Sequence, residues 1–166
     1  PASLYITTNF DPLLERALAA NERPPQQVST RWRYEDTPIS ADDQAIETPS
    51  ADAPMVYHVF GAFGDDDDGD NLVLTEDDHF DYLMKAAATR LMPTYVEKAL
   101  VNNSLLFLGF RLTDWHFRLL FRLMMSLGGR DKIRRSYHVA VQIDPDMQSM
   151  ADIEGARAYL AKYFAD

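Results

Sequence analysis

Short apolar runs that alternate with amphipathic helical stretches constrain this chain more than any other feature of its sequence. The clearest run is residues 105–108, Leu-Leu-Phe-Leu, apolar on both faces and closed by Gly109. Such a run suits a central strand of a parallel sheet, where helices cover both faces. Residues 4–6, 55–60 (Met-Val-Tyr-His-Val-Phe, ended by Gly61) and 137–143 read as further strands, with a short one expected around 28–32 and a brief extended run at 72–74. Helical patterns lie between them. Asp11 is placed as an N-cap and Pro12 as the first helical residue, ahead of a buried stripe of Leu13, Leu14, Ala17 and Leu18. Thr75-Glu76-Asp77-Asp78 has the form of a capping box with Asp in the usual Glu place, followed by a stripe of Phe80, Leu83, Met84 and Ala87. A third helix covers about 91–101, a fourth starts at Asp114 with Phe117, Leu120, Phe121 and Met124 inward, and Ser149 opens a last one. Alternation of this kind predicts an α/β chain with an open, mainly parallel, Rossmann-like sheet and helices on both faces.

The 166 residues suit one domain, 1–166, that buries about two-thirds of its unfolded surface. Two segments stand apart: an irregular Pro-rich insertion at 21–54, holding Pro24, Pro25, Pro38, Pro49 and Pro54, and an acidic loop at 64–71. Lys and Arg number 16 against 26 Asp and Glu, a net charge of −10 that argues against a large nucleic-acid footprint. No run approaches the ~20 apolar residues of a membrane span and no signal-peptide pattern opens the sequence, so a cytoplasmic location is expected. The absence of Cys removes disulfides, thiolate nucleophiles and Cys-ligated zinc.

In open parallel sheets, ligands bind at the carboxyl ends of the strands. Those ends carry T-T-N-F-D at 7–11, His58 to Gly61, Gly109 to Asp114, and Ile143-Asp144-Pro145. The Asn9 amide is suited to orient a water or a sugar hydroxyl, and equally to a turn ahead of a helix. Asp11 suits a helix cap, a role compatible with touching a ligand. His58, inside an apolar strand, is either a satisfied core histidine or a general base. His79 and His116 are expected to face solvent, and His138 starts a strand. No pair of histidines has metal-ligand spacing and H-E-x-x-H is absent, so no metal is expected. The acidic loop fails as a calcium site: aligned as an EF-hand, its first position is Gly64 and its twelfth Thr75. G-x-S-x-G, G-x-G-x-x-G and the phosphate-binding G-x-x-x-x-G-K-[ST] are all missing. The sequence begins without Met, directly on a strand, so a first βαβ unit is expected to be missing if the fold binds nucleotides.

Three motifs, in order, resemble those of bacterial sirtuin-like domains: T-T-N-F-D at 7–11, L-V-L-T-x-x-D-x-x-x-Y at 72–82 and L-L-F-L-G-F-x-L-x-D at 105–114. His58, followed by Gly61, resembles the essential histidine of sirtuins, and 141–144 their last core strand. The resemblance implies NAD as substrate, hydrolysed to nicotinamide and ADP-ribose, often as the effector of antiphage defence. It implies catalytic roles for Asn9 and His58: Asn9 holding a water or the ribose hydroxyls, His58 accepting a proton. Thr8 and Asp11 would line the nicotinamide-ribose pocket, with Gly109, Phe110 and Asp144 toward the adenosine side. The four-Cys zinc module of protein deacetylases is absent, which disfavours deacylation. The family's G-A-G-x-S pyrophosphate loop is expected upstream of Pro1, so little turnover is expected from the 166 residues alone. Partners expected are NAD or ADP-ribose and a fused or associated sensor or effector domain, with room for a homo-oligomer. A non-catalytic NAD or ADP-ribose sensor and a degenerate assembly domain stand as alternatives.

Overall fold

A computed structural model describes residues 1–33, 47–64, 71–89, 91–109, 117–118, 121 and 139–141. The chain divides into two compact units, Pro1–Glu97 and Lys98–Asp166. The acidic residues 65–70, the helix expected from Ser149, and His116 and His138 lie outside the described residues.

The first unit is built on a parallel sheet of three strands, β1 (Leu4–Thr7), β2 (Gln26–Ser29) and β3 (Met55–His58), in the order β1-β3-β2. Between β1 and β2 the chain passes through helix α1 (Leu13–Ala20) and leaves a slot that β3 fills. A strand in that slot is paired along both edges, and all four residues of β3 are buried whereas β1 is half-buried throughout. Successive side chains of a strand point to opposite faces. His58 accordingly reaches Glu15 of α1 on one face, and Tyr57 reaches the carbonyl of Leu91 on the other. The result is a small open parallel sheet with helices in the chain between its strands and after them, as the alternation of the sequence predicts.

Helix α2 (Glu76–Ala88) starts with the expected capping box: Thr75 Oγ1 accepts from the Asp78 N–H (3.1 Å) and Asp78 Oδ2 accepts from the Thr75 N–H (2.9 Å). The face it buries differs from the expected one. Phe80 and Met84 are 65% and 73% exposed, while His79 and Tyr82 are buried. The reason is aromatic packing: the His79 ring meets Phe60 edge-on at 5.0 Å, and Tyr82 meets Phe60 at 5.6 Å and Trp32 at 6.2 Å. His79 is therefore a core residue, with Nδ1 donating to the Thr75 carbonyl at 2.8 Å. On α1, likewise, Leu18 is buried but Leu13 and Ala17 are exposed. Residues 72–74 are extended without forming a strand; Val73 N–H donates to the Phe60 carbonyl (2.9 Å). β2 starts two residues before the expected segment, and Thr30 and Trp32 run on from it into the core.

At the N-terminal end of the sheet one guanidinium ties three segments. Arg23 donates to the carbonyls of Ala51 (2.6 Å) and Ala2 (2.7 Å) and to the Tyr5 hydroxyl (3.0 Å).

Helix α3 (Thr94–Asn102) buries Val96 and Leu100. In the second unit β4 (Leu106–Leu108) pairs in parallel with β5 (Val139–Val141). Phe107 is buried edge-on against Phe117 at 5.5 Å, whereas Leu106 and Leu108 are each 61% exposed. The expectation that this run is covered on both faces is thus corrected. Strand alternation turns Phe107 inward and its two neighbours outward, and the fully covered strand is β3.

The cap of α2 carries a measurable prediction. Hydrogen bonds from the Thr75 N–H above all, then from Leu74, with Arg33 nearby, hold the Asp78 carboxyl below the usual range. A depressed carboxyl stabilises the fold above its unfolded pKa of about 3.9, and that contribution fades as pH falls through the folded value. Asp78→Asn is expected to lose about 1 kcal/mol near neutral pH and to flatten the acid limb of stability. Urea midpoints of wild type and variant near neutrality and in acid check it; equal midpoints near neutrality would show that the charge of the Asp78 carboxylate contributes nothing to the cap.

Candidate functional site

The carboxyl ends of the three strands form one row, with Thr7 and Ser29 each paired with His58. The ladder continues past them: Val59 N–H donates to the Thr7 carbonyl (3.0 Å) and Thr30 N–H to the His58 carbonyl (3.1 Å). From β1 the chain turns at once, because Thr7 Oγ1 accepts from the Asn9 N–H (3.1 Å). Asp11 Oδ1 then accepts from the Leu13 N–H (3.0 Å), and α1 starts with Pro12 at the cap, one position later than the Asp11 expected there. The side chain of Asn9 is left exposed above this turn. Beside it Phe63 N–H donates to the Phe10 carbonyl (2.8 Å), and the two rings lie 5.8 Å apart.

His58 is fully buried and both its ring nitrogens are engaged. Nδ1 lies 2.7 Å from the Asn9 carbonyl, and since a carbonyl only accepts, Nδ1 carries a proton and donates it. Nε2 pairs with Oε1 of Glu15. The imidazole therefore joins three elements: β3, which carries it, α1, which carries Glu15, and the β1–α1 turn, which carries Asn9. The Glu15 side chain is 12% exposed against 0% for His58. Its second oxygen, Oε2, is buried and has no hydrogen-bond partner among the described residues.

The backbone beyond His58 is held by Gly61. Its φ is +91°, and a Cβ there would lie 2.7 Å from the Asn71 carbonyl oxygen. That oxygen already accepts from the Trp32 indole N–H (3.0 Å). On the opposite face of β3, burial pushes the phenols of Tyr57 and Tyr82 far above the ordinary tyrosine range, so both remain protonated donors; the Tyr57 hydroxyl donates to the Leu91 carbonyl (3.4 Å).

Of the residues singled out in the sequence, Thr8, Asn9 and Asp11 share one turn, and His58 meets that turn through the Asn9 backbone. Asp11 accepts from the first helical N–H, that of Leu13, although the cap position read for it falls to Pro12. Gly109 ends β4 in the second unit, exposed and at φ +74°. Phe110 and Asp144 lie outside the described residues. Glu15 was not among the residues singled out, although a signal for it exists: it precedes the buried Leu18 by three positions, which places it on the inward face of α1. Among the described residues no group of three or more His, Asp or Glu is placed to hold a metal, and no helix is long and apolar enough to cross a membrane.

Residues 3–166 match the family model of the SIR2-like domain, a match over nearly the whole chain. Among curated proteins no relative matches.

Proposed function

Because the chain belongs to the SIR2-like domain family, whose chemistry uses NAD as substrate, we propose that it cleaves NAD between nicotinamide and ribose and passes the ribose to water. The observation that carries this reading is the meeting of Asn9 and His58 at the carboxyl end of neighbouring parallel strands, 2.7 Å apart through the Asn9 carbonyl. Nicotinamide departs as a neutral molecule from a cationic ring, so the protein has no need of a strong acid. What it supplies is position, a partly dry pocket, and an acceptor for one proton.

In this reading the exposed Asn9 carboxamide holds the attacking water or the ribose hydroxyls. His58, backed by Glu15, receives the proton. Thr8 and Asp11 line the ribose side, and the Phe10 and Phe63 rings give the departing nicotinamide an apolar wall. The biological setting we propose is that of an effector in bacterial antiphage defence, working in the cytoplasm with a fused or associated sensing domain, as an oligomer. A second reading is favoured by one observation, the engagement of both His58 nitrogens within the chain: a domain that binds NAD or ADP-ribose as a signal without cleaving it.

The test is to incubate the full-length protein with NAD and quantify products. Nicotinamide and ADP-ribose in equal amounts support hydrolysis. Saturable ADP-ribose binding without nicotinamide release supports the sensor, and neither binding nor release overturns both.

A further inference from the structure

We infer that Glu15, rather than His58, presents the acceptor atom to the ligand, and that its Oε2 takes the hydrogen bond of a ribose hydroxyl. The inference rests on the NAD reading above and moves the accepting role within it from His58 to Glu15. Three observations carry it. First, His58 has nothing left to offer: Nδ1 donates to the Asn9 carbonyl and Nε2 is taken by Glu15 Oε1. Second, Glu15 has an acceptor to spare, since Oε2 is buried without a hydrogen-bond partner among the described residues. A buried carboxylate oxygen without a donor is unfavourable, so a ligand that brings one gains what water or protein does not supply. Third, Glu15 lies nearer the surface than His58: its side chain keeps 12% exposure against none, although Oε2 itself is covered.

The arrangement is a chain of hydrogen bonds with the carboxylate outermost. A ligand hydroxyl donates to Oε2, Oε1 is held by Nε2, and the Nδ1–H is held by the Asn9 carbonyl. His58 is then a positioning residue that fixes the carboxylate on α1 against the Asn9 turn. This is the logic of a base oriented by a third group, with the imidazole in the middle place.

The experiment compares ADP-ribose with its analogues lacking the 2′ or the 3′ hydroxyl of the terminal ribose. Binding to the full-length protein is measured by calorimetry for wild type, Glu15→Met and Glu15→Gln. Wild type is expected to lose about tenfold in affinity for one of the two analogues, the worth of one hydrogen bond to a charged acceptor. Glu15→Met, which has no acceptor, is expected to bind that analogue and ADP-ribose equally. Should the Met variant fail to fold, Glu15→Gln decides: its neutral amide oxygen is expected to shrink the penalty to about threefold. The same tenfold penalty in the variants, or no penalty in wild type, overturns the inference and leaves NAD binding standing. No binding of ADP-ribose by wild type overturns the reading and the inference together.

Discussion

Asn9→Ala in the full-length protein is expected to lower nicotinamide release from NAD by roughly a hundredfold or more, the worth of a positioned polar group at a reacting centre. The fold is expected to be nearly indifferent. Both hydrogen bonds of Asn9 described above belong to its backbone: the N–H donates to Thr7 Oγ1 and the carbonyl accepts from His58 Nδ1. Alanine keeps both. The side chain is exposed, so the melting temperature is expected to stay within about 2 °C of wild type. Product formation and a thermal melt on the same preparation check the pair of claims, and unchanged turnover would remove Asn9 from the chemistry. His58→Ala does not separate the two effects so cleanly. Deleting a buried imidazole leaves the Glu15 carboxylate without its partner, a loss of the kind that costs about 3–5 kcal/mol.

Gly61→Ala is expected to destabilise the fold by about 3 kcal/mol, combining backbone strain at positive φ with a steric clash. The added methyl would meet not the tip of a flexible side chain but the Asn71 carbonyl, at 2.7 Å. Asn71 has little freedom to retreat: its carbonyl is bonded to the Trp32 indole, and its Oδ1 accepts from the Arg33 N–H (3.3 Å). For a chain of this size 3 kcal/mol corresponds to a fall of roughly 10 °C in melting temperature. A circular-dichroism melt reads it directly. A midpoint within about 2 °C of wild type would show that the backbone there can rearrange freely.

How much of this was legible in the sequence follows from where local rules govern. The cap at Thr75 and Asp78 and the strand around Tyr57 are set by residues close in the chain and appear where the sequence puts them, and α1 starts one residue later than its Asp11-Pro12 signal indicates. The face of α2 is set by contact with distant residues. Trp32 and Phe60 build an aromatic socket that receives His79 and Tyr82, and no scale of hydrophobicity would rank those two above Phe80 and Met84. The parallel run at 105–108 shows the same limit: apolarity on both faces reports what a strand can bury, not what is there to cover it. At the site, Asn9 and His58 stood out because polar residues at strand ends are conspicuous. Their meeting depends on the order β1-β3-β2, which no local pattern encodes. Glu15 escaped notice because a glutamate on a helix is ordinarily a solvated residue.

The clasp formed by Arg23 at the far end of the sheet bears on the site as well. Sliding β1 by one residue against β3 would turn Tyr5 to the other side and pull its hydroxyl from the guanidinium. The same slip would carry Asn9 past the imidazole that holds its carbonyl. A cation at one margin thus acts as an index pin for the other: it sets which residue of the first strand arrives opposite the histidine, without itself approaching any substrate.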